Sequence, residues 1–148
     1  MNTSFTQKLI SSQASLSTLA LRIPIAIIFI AHGAQKLFAW FGGYGLEGTG
    51  QWMASIGLEP GYLMALLAGS AEFFGGIALL IGLLTRPTAF ILSLTMIVAI
   101  VSVHLANGLF LSNNGYEFAL ALLAASASLM LSGSGSYSLD NLLAKKLA

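Results

Sequence analysis

Four long apolar runs dominate this chain and decide most of what it can become. They are Leu16–Phe38, Tyr62–Leu84, Thr88–Phe110 and Tyr116–Ser132. A bilayer's hydrocarbon core is about 30 Å thick, and a helix needs roughly 20 mainly apolar residues to cross it. The first three runs reach that length. The fourth, "YEFALALLAASASLMLS", is shorter but is bounded by Gly115 and Gly133. A buried strand is the alternative for an apolar run, and runs this long favour helices. The alternating ten-residue segments of an outer-membrane barrel are missing. Charged residues make up only 7% of the chain, against about 25% in ordinary soluble domains. So little charge cannot coat a surface that faces water. The expected fold class is an all-α membrane protein, a single domain over residues 1–148 built as a four-transmembrane-helix bundle.

The first run has Lys8 upstream and small residues from Ala31 to Ala34, as a cleaved signal peptide would. Arg22 and Pro24 interrupt it, however, and it continues into a polar, aromatic segment, so a retained helix is expected. Pro24 is expected near its start, where proline costs little. Orientation follows from the six Lys and Arg residues. With a cytoplasmic N-terminus, Lys8, Arg22, Arg86, Lys145 and Lys146 fall inside and Lys36 alone outside. That positive-inside bias places both termini in the cytoplasm.

The connections follow from this layout. "TRP", Thr85–Pro87, reads as a tight inner hairpin. The segment from Ala39 to Gly61 lies outside, with "GTGQWMASIGLEPG" forming a brief surface helix that ends near Gly57 and Pro60. Trp40, Trp52 and Tyr62 suit the interfacial aromatic belt. Gly43, Gly45 and Gly48 match G-x-G-x-x-G, but no strand precedes them, so they read as loop rather than a dinucleotide site. The tail, residues 137–148, reads as an amphipathic helix on the inner surface. Ser138 would cap it, its leucines would face lipid, and its lysines would meet anionic headgroups.

Polar residues inside the spans carry the functional signal. "HGAQKLF", 32–38, closes the first run, and "HLANGLF", 104–110, closes the third. If this echo marks a repeat, helices 1–2 and 3–4 are parallel copies, an arrangement found in transporters. In either case His32, Gln35, Lys36, His104 and Asn107 fall in the outer half, with Glu117 at the outer mouth. Glu72 lies ~15 Å below the outer surface. A lipid-facing charge there costs about 2.5–3.5 kcal/mol on insertion scales, so Glu72 must turn inward, pair, or be protonated. Ala65, Ala68, Gly69, Gly75 and Gly76 surround it with small side chains. Ala121, Ala124, Ala125 and Ser128 give the fourth helix a similar inward stripe. Candidate partners for Glu72 are Arg22 from below and His32 or Lys36 from above.

Histidines near the outer face exchange protons around neutral pH. Beside a buried carboxylate they suit proton transfer or hydrogen bonding to a quinone-like head group. Haem or metal is disfavoured: the Glu-x-x-His spacing of diiron bundles is absent, since Gly75 follows Glu72 by three and Leu120 follows Glu117 by three. The two histidines also sit at different depths for axial haem ligation. The only aspartate, Asp140, lies in the tail, far from any Ser-His-Asp arrangement. With no cysteine, thiol relays, disulfides and iron–sulfur clusters are excluded. A net charge of +1 and the lack of a basic stripe exclude nucleic acid as a partner.

The stretches "LRIPIAIIFIAHGAQKLFAWFGG", "AEFFGGIALLIGLLTRPTA", "VHLANGLF", "NGYEFALALLAA" and "SGSGSYSLDNLL" resemble the DoxX family of small bacterial membrane proteins across nearly the whole chain. Arg22, Gly33, Lys36, Glu72 and Arg86 match that family's recurring polar positions, while His32 and His104 match only some members. Ser134 stands where the family often has proline between two glycines, which would loosen the inner turn. The resemblance implies a multi-pass protein of the bacterial inner (cytoplasmic) membrane. It implies a small subunit of quinone-linked redox metabolism or of an oxidative-stress assembly, working with partner subunits or as a homo-oligomer. Two other readings stay open: a non-catalytic membrane anchor or scaffold for a soluble partner, and a proton-coupled carrier of a small solute.

Overall fold

The computed structural model describes Ile10, Ser12 and residues 15–146. Lys8, counted above with the inner basic residues, lies outside the described residues, as do residues 147 and 148 of the tail. The main elements are α1 (Leu16–Phe38), α2 (Gly45–Ser55), α3 (Gly61–Ile81), α4 (Thr85–Ala99), α5 (Glu117–Ser132) and α6 (Leu139–Lys146). Beyond Ala99, α4 runs on through a π-helical turn, Ile100–His104, and a 3₁₀ turn, Leu105–Asn107. Among the described residues there is no strand. Three helices are long and apolar enough to cross a membrane: α1, α3 and α4 with its extension to Asn107. α5 is a shorter apolar helix of 16 residues.

Small residues set how the helices meet. Gly33 of α1 lies so close to α3 that a Cβ there would come within 2.7 Å of the Phe73 Cα. On α3, a Cβ on Gly69 would meet Leu37, and one on Gly76 would meet Ile30 and Ala26. These pairings fix an antiparallel register in which bulk is removed where the backbones cross. Ala65, Gly69, Glu72, Gly76 and Leu79 form the buried stripe of α3. On α5 the buried face is Ala119, Leu122, Ser126 and Leu129. Ala121, Ala124 and Ser128, expected to face the bundle, are exposed instead. Leu122 and Leu129 join Leu92 and Met96 of α4 in one core cluster, with the smaller Ala119 and Ser126 buried on the same face of α5.

The core holds Ile25, Ala26, Phe29, Leu79, Leu92, Met96, Leu122 and Leu129. Around it, Ile27, Leu67, Phe74, Ile91, Leu94, Val98 and Val101 point outward and exposed. Such a continuous apolar exterior is a surface for lipid, not water.

Several local expectations need correction. Pro24 lies inside α1 rather than at its first turn, leaving the Ala20 carbonyl without its helical donor. The turn between α3 and α4 is Gly82–Leu84, where Gly82 and Leu84 take positive φ of 68° and 47°. Thr85, Arg86 and Pro87 are already the first turn of α4, where proline's missing N–H is not needed. Glycines 45 and 48 belong to α2, not to a loop, and Gly45, Thr49, Gly50 and Met53 of α2 are buried. Gly50 allows that packing: a Cβ there would lie 2.9 Å from the Tyr62 Cα.

The end of the bundle that holds the tail is tied by charges. Asp140 is 1% exposed, and its carboxylate accepts hydrogen bonds from the backbone N–H groups of Leu84 (2.7 Å) and Thr85 (2.9 Å). It thereby caps α4, where a negative charge also meets the positive end of the helix dipole. Arg86 donates to the carbonyls of Met130 and Leu131 at the end of α5. Ser138 caps α6 as expected, accepting from the Asn141 N–H at 3.3 Å. Leu139, Leu142 and Leu143 face outward. The tail is therefore docked through Asp140 as well as amphipathic. Ser134 does not loosen this turn: it is buried, and its hydroxyl accepts from that of Ser138 at 2.9 Å.

Candidate functional site

At the opposite end of the bundle, α1, α3, α4 and α5 line a half-open cavity of about 110 Å³. Its polar lining is His32, Lys36, Glu72 and His104, and its apolar lining is Phe29, Met96, Ala99, Phe118, Ala119 and Leu122. α1 contributes Phe29, His32 and Lys36, which share a face because they are three and four residues apart. The π turn brings in His104. In a plain α-helix, residues five apart point to different faces. A turn closed between i and i+5 brings the fifth residue back over the first, so Ala99 and His104 line one wall.

The Lys36 Nζ lies 2.6 Å from the Glu72 Oε2. Glu72 is 3% exposed, so the ammonium neutralises a carboxylate that has almost no access to solvent. The other oxygen, Oε1, has no hydrogen-bond partner among the described residues, and Glu72 is one of the residues lining the cavity. The His32 ring rests against Phe118, centroids 5.9 Å apart, and none of the described residues hydrogen-bonds to it. The His104 Nδ1 is 2.8 Å from the Asn114 carbonyl oxygen. A carbonyl only accepts, so that nitrogen carries the proton.

Arg22 is not the partner of Glu72. The Gly33–Phe73 crossing puts Glu72 level with the last third of α1, ~18 Å along the helix from Arg22 at 1.5 Å per residue. Arg22 instead is 1% exposed at the tail end. There it donates to the carbonyls of Ser134 (2.5 Å) and Tyr137 (2.9 Å).

Three other polar candidates organise loops rather than line the cavity. Gln35 donates to the Phe41 carbonyl at 3.2 Å. Asn107 donates to the carbonyls of Val103 (3.1 Å) and Asn114 (3.3 Å). The Glu117 Oε1 accepts from the Leu111 N–H at 2.5 Å. The echoed halves thus behave alike: each histidine lines the cavity, and each carboxamide secures the loop after its own helix.

Sequence reasoning did not find the apolar walls. Phe29 was within reach, one turn before His32. Met96 was too, since residues eight apart share a helix face; Ala99 was not, because only the π turn brings it onto the same wall as His104. Among the described residues, no three His, Cys, Asp or Glu side chains converge as a metal-binding group. What the arrangement offers is an ion pair and two imidazoles against aromatic and aliphatic walls. It can hold a small ring or head group by hydrogen bonds and pass protons to it.

The DoxX family profile matches residues 17–105. A Bacillus subtilis protein named "Putative oxidoreductase CatD" is 38% identical over 125 residues, spanning 84% of this chain and 85% of that one. The Escherichia coli inner membrane protein YqjF is 36% identical over 137 residues, spanning 88% of this chain and 95% of YqjF. A Haemophilus influenzae protein is 38% identical over 133 residues, spanning 85% of this chain and 90% of that one. No solved structure matches significantly. The profile covers the polar positions of α1 and α3 and the α4 wall through His104, and the relatives align along nearly their whole length. The chain therefore belongs to the DoxX family, as a multi-pass protein of the inner membrane.

Proposed function

We propose that this protein is a small accessory subunit of membrane redox metabolism whose cavity binds the polar head group of a quinone-type hydrogen carrier. In this reading α1, α3, α4 and α5 are four spans of one domain, and both termini are cytoplasmic. Arg22, Arg86, Lys145 and Lys146 gather at the tail end, while Lys36 at the other end is held by Glu72. The cavity then opens toward the outer face, and the buried core from Phe29 to Ile25 separates it from the cytoplasmic side.

One observation carries the reading: a buried carboxylate, its lysine and both in-span histidines line a single cavity with apolar walls. Ligand sites combine a mostly apolar lining with a few convergent polar groups. At about 110 Å³ this one suits a single ring, with an isoprenoid tail left in the bilayer. The name of the Bacillus subtilis relative, "Putative oxidoreductase CatD", points the same way. Electrons would come from a partner subunit, and this chain would supply binding and proton exchange.

The test is extraction and binding. Protein purified in mild detergent should carry native quinone and should bind a short-tail quinone or quinol by calorimetry. Glu72→Gln and Lys36→Met should weaken that binding at least about tenfold, the scale of one charge-assisted hydrogen bond. Well-folded protein that neither co-extracts nor binds either form would refute the reading. If the same samples retained a soluble partner whatever stood at Glu72, the scaffold reading would replace it.

A further inference from the structure

We infer that the cavity selects the reduced, dihydroxy form of its ring ligand over the oxidised quinone. This rests on the head-group reading above and adds the ligand's redox state to it. Two of the four polar lining groups are set as hydrogen-bond acceptors by contacts they already make, Glu72 with Lys36 and His104 with the Asn114 carbonyl. The Glu72 Oε2 is engaged by the Lys36 Nζ at 2.6 Å. Within this ion pair the second oxygen, Oε1, serves as an acceptor, and it has no hydrogen-bond partner among the described residues. The His104 Nδ1 donates to the Asn114 carbonyl at 2.8 Å. In the neutral ring that fixes the tautomer and leaves Nε2 as a lone-pair acceptor.

The device that sets His104 is built from backbone. The π turn Ile100–His104 carries the ring onto the cavity wall. Asn114 sits in a left-handed turn, φ 59°, with its carbonyl directed at the imidazole. The Asn107 amide holds the same carbonyl at 3.3 Å. A mutation that spares this loop therefore spares the tautomer.

Quinone carbonyls are acceptors only, so they would face acceptors at Glu72 and at His104. A hydroquinone or catechol brings two O–H donors and satisfies both. Lys36 and His32 can serve the ring's oxygen lone pairs in either redox state, so they bind without discriminating. A site built to receive hydroxyl donors rejects analogues that lack them, because its buried acceptors are then left unmet.

Calorimetric titration of the detergent-purified full chain, under anaerobic conditions, tests this with three short-tail probes: a hydroquinone, the matching quinone, and the hydroquinone dimethyl ether. The hydroquinone should bind at least about tenfold more tightly than either of the others. His104→Phe, which removes the acceptor, should reduce that preference while binding of the ether persists as a check on folding. His104→Gln, which keeps a carbonyl acceptor, should restore part of it. Equal or tighter binding of the quinone overturns the redox selectivity and leaves the head-group reading standing. Ether binding as tight as hydroquinone binding overturns the selectivity too, showing that shape alone is recognised. Failure of all three probes to bind overturns the head-group reading itself.

Discussion

Removing Lys36 should hurt this protein far more than removing Glu72, although the two form one ion pair. The reason is unequal burial: the Lys36 side chain is 23% exposed and that of Glu72 is 4%. Lys36→Met strands a carboxylate with almost no access to solvent and no other Lys or Arg paired with it among the described residues. Stranding a buried charge typically costs about 3–5 kcal/mol. Glu72→Gln leaves the lysine near the end of α1, where its long side chain can turn toward water or headgroups. The cost there is the lost charged hydrogen bond, about 1–2 kcal/mol. The double variant, Lys36→Met with Glu72→Gln, removes both charges and should recover at least about 2 kcal/mol relative to Lys36→Met alone. Thermal unfolding of all four proteins in one detergent, followed by circular dichroism and by loss of the monodisperse peak, provides the cycle. If Lys36→Met were no worse than Glu72→Gln, or if the double variant equalled the sum of the singles, the buried pair would not exist as described.

Three further outcomes follow from the geometry. Gly33→Ala should destabilise by about 1–3 kcal/mol through overpacking, because the new methyl would meet the Phe73 backbone at 2.7 Å and not a movable side chain; unchanged thermal stability would refute the close crossing. Asp140→Ala should cost about 2 kcal/mol or more, losing a two-bond cap on α4 and a negative charge near Arg22, whereas Asp140→Asn should keep part of the cap; faster proteolysis of the tail in Asp140→Ala provides a second readout. Because the chain has no cysteine, Ala99→Cys on the cavity wall gives a single reporter. It should react with a membrane-impermeant thiol reagent added outside intact cells or spheroplasts. Reaction only in inverted vesicles would overturn the proposed orientation.

Much of this protein follows from one-dimensional pattern. Length and hydropathy settle where the helices are, because a backbone in hydrocarbon must satisfy its own hydrogen bonds and has few other ways to do so. α1 runs from Leu16 to Phe38, the bounds its apolar run predicts, and α5 differs from its run by a single residue at the start. The cost of a charge in lipid likewise turns Glu72 inward whatever the details of packing. Pairing is another matter. Arg22, His32 and Lys36 were equivalent partners for Glu72 in sequence. The Gly33–Phe73 crossing separates them, since helix register is set by which small residues interlock. Asp140 looked like a tail residue, yet it is nearly as buried as the core, because the unsatisfied N–H groups at the start of α4 require an acceptor and the fold brings one from the far end of the chain. The π turn left no mark in the apolar pattern of α4, so the wall formed by Ala99 and His104 emerges only in three dimensions. Hydrophobicity is a property each residue carries by itself and survives in the sequence. A cavity is a relation among helices, and it exists only once their crossings are made.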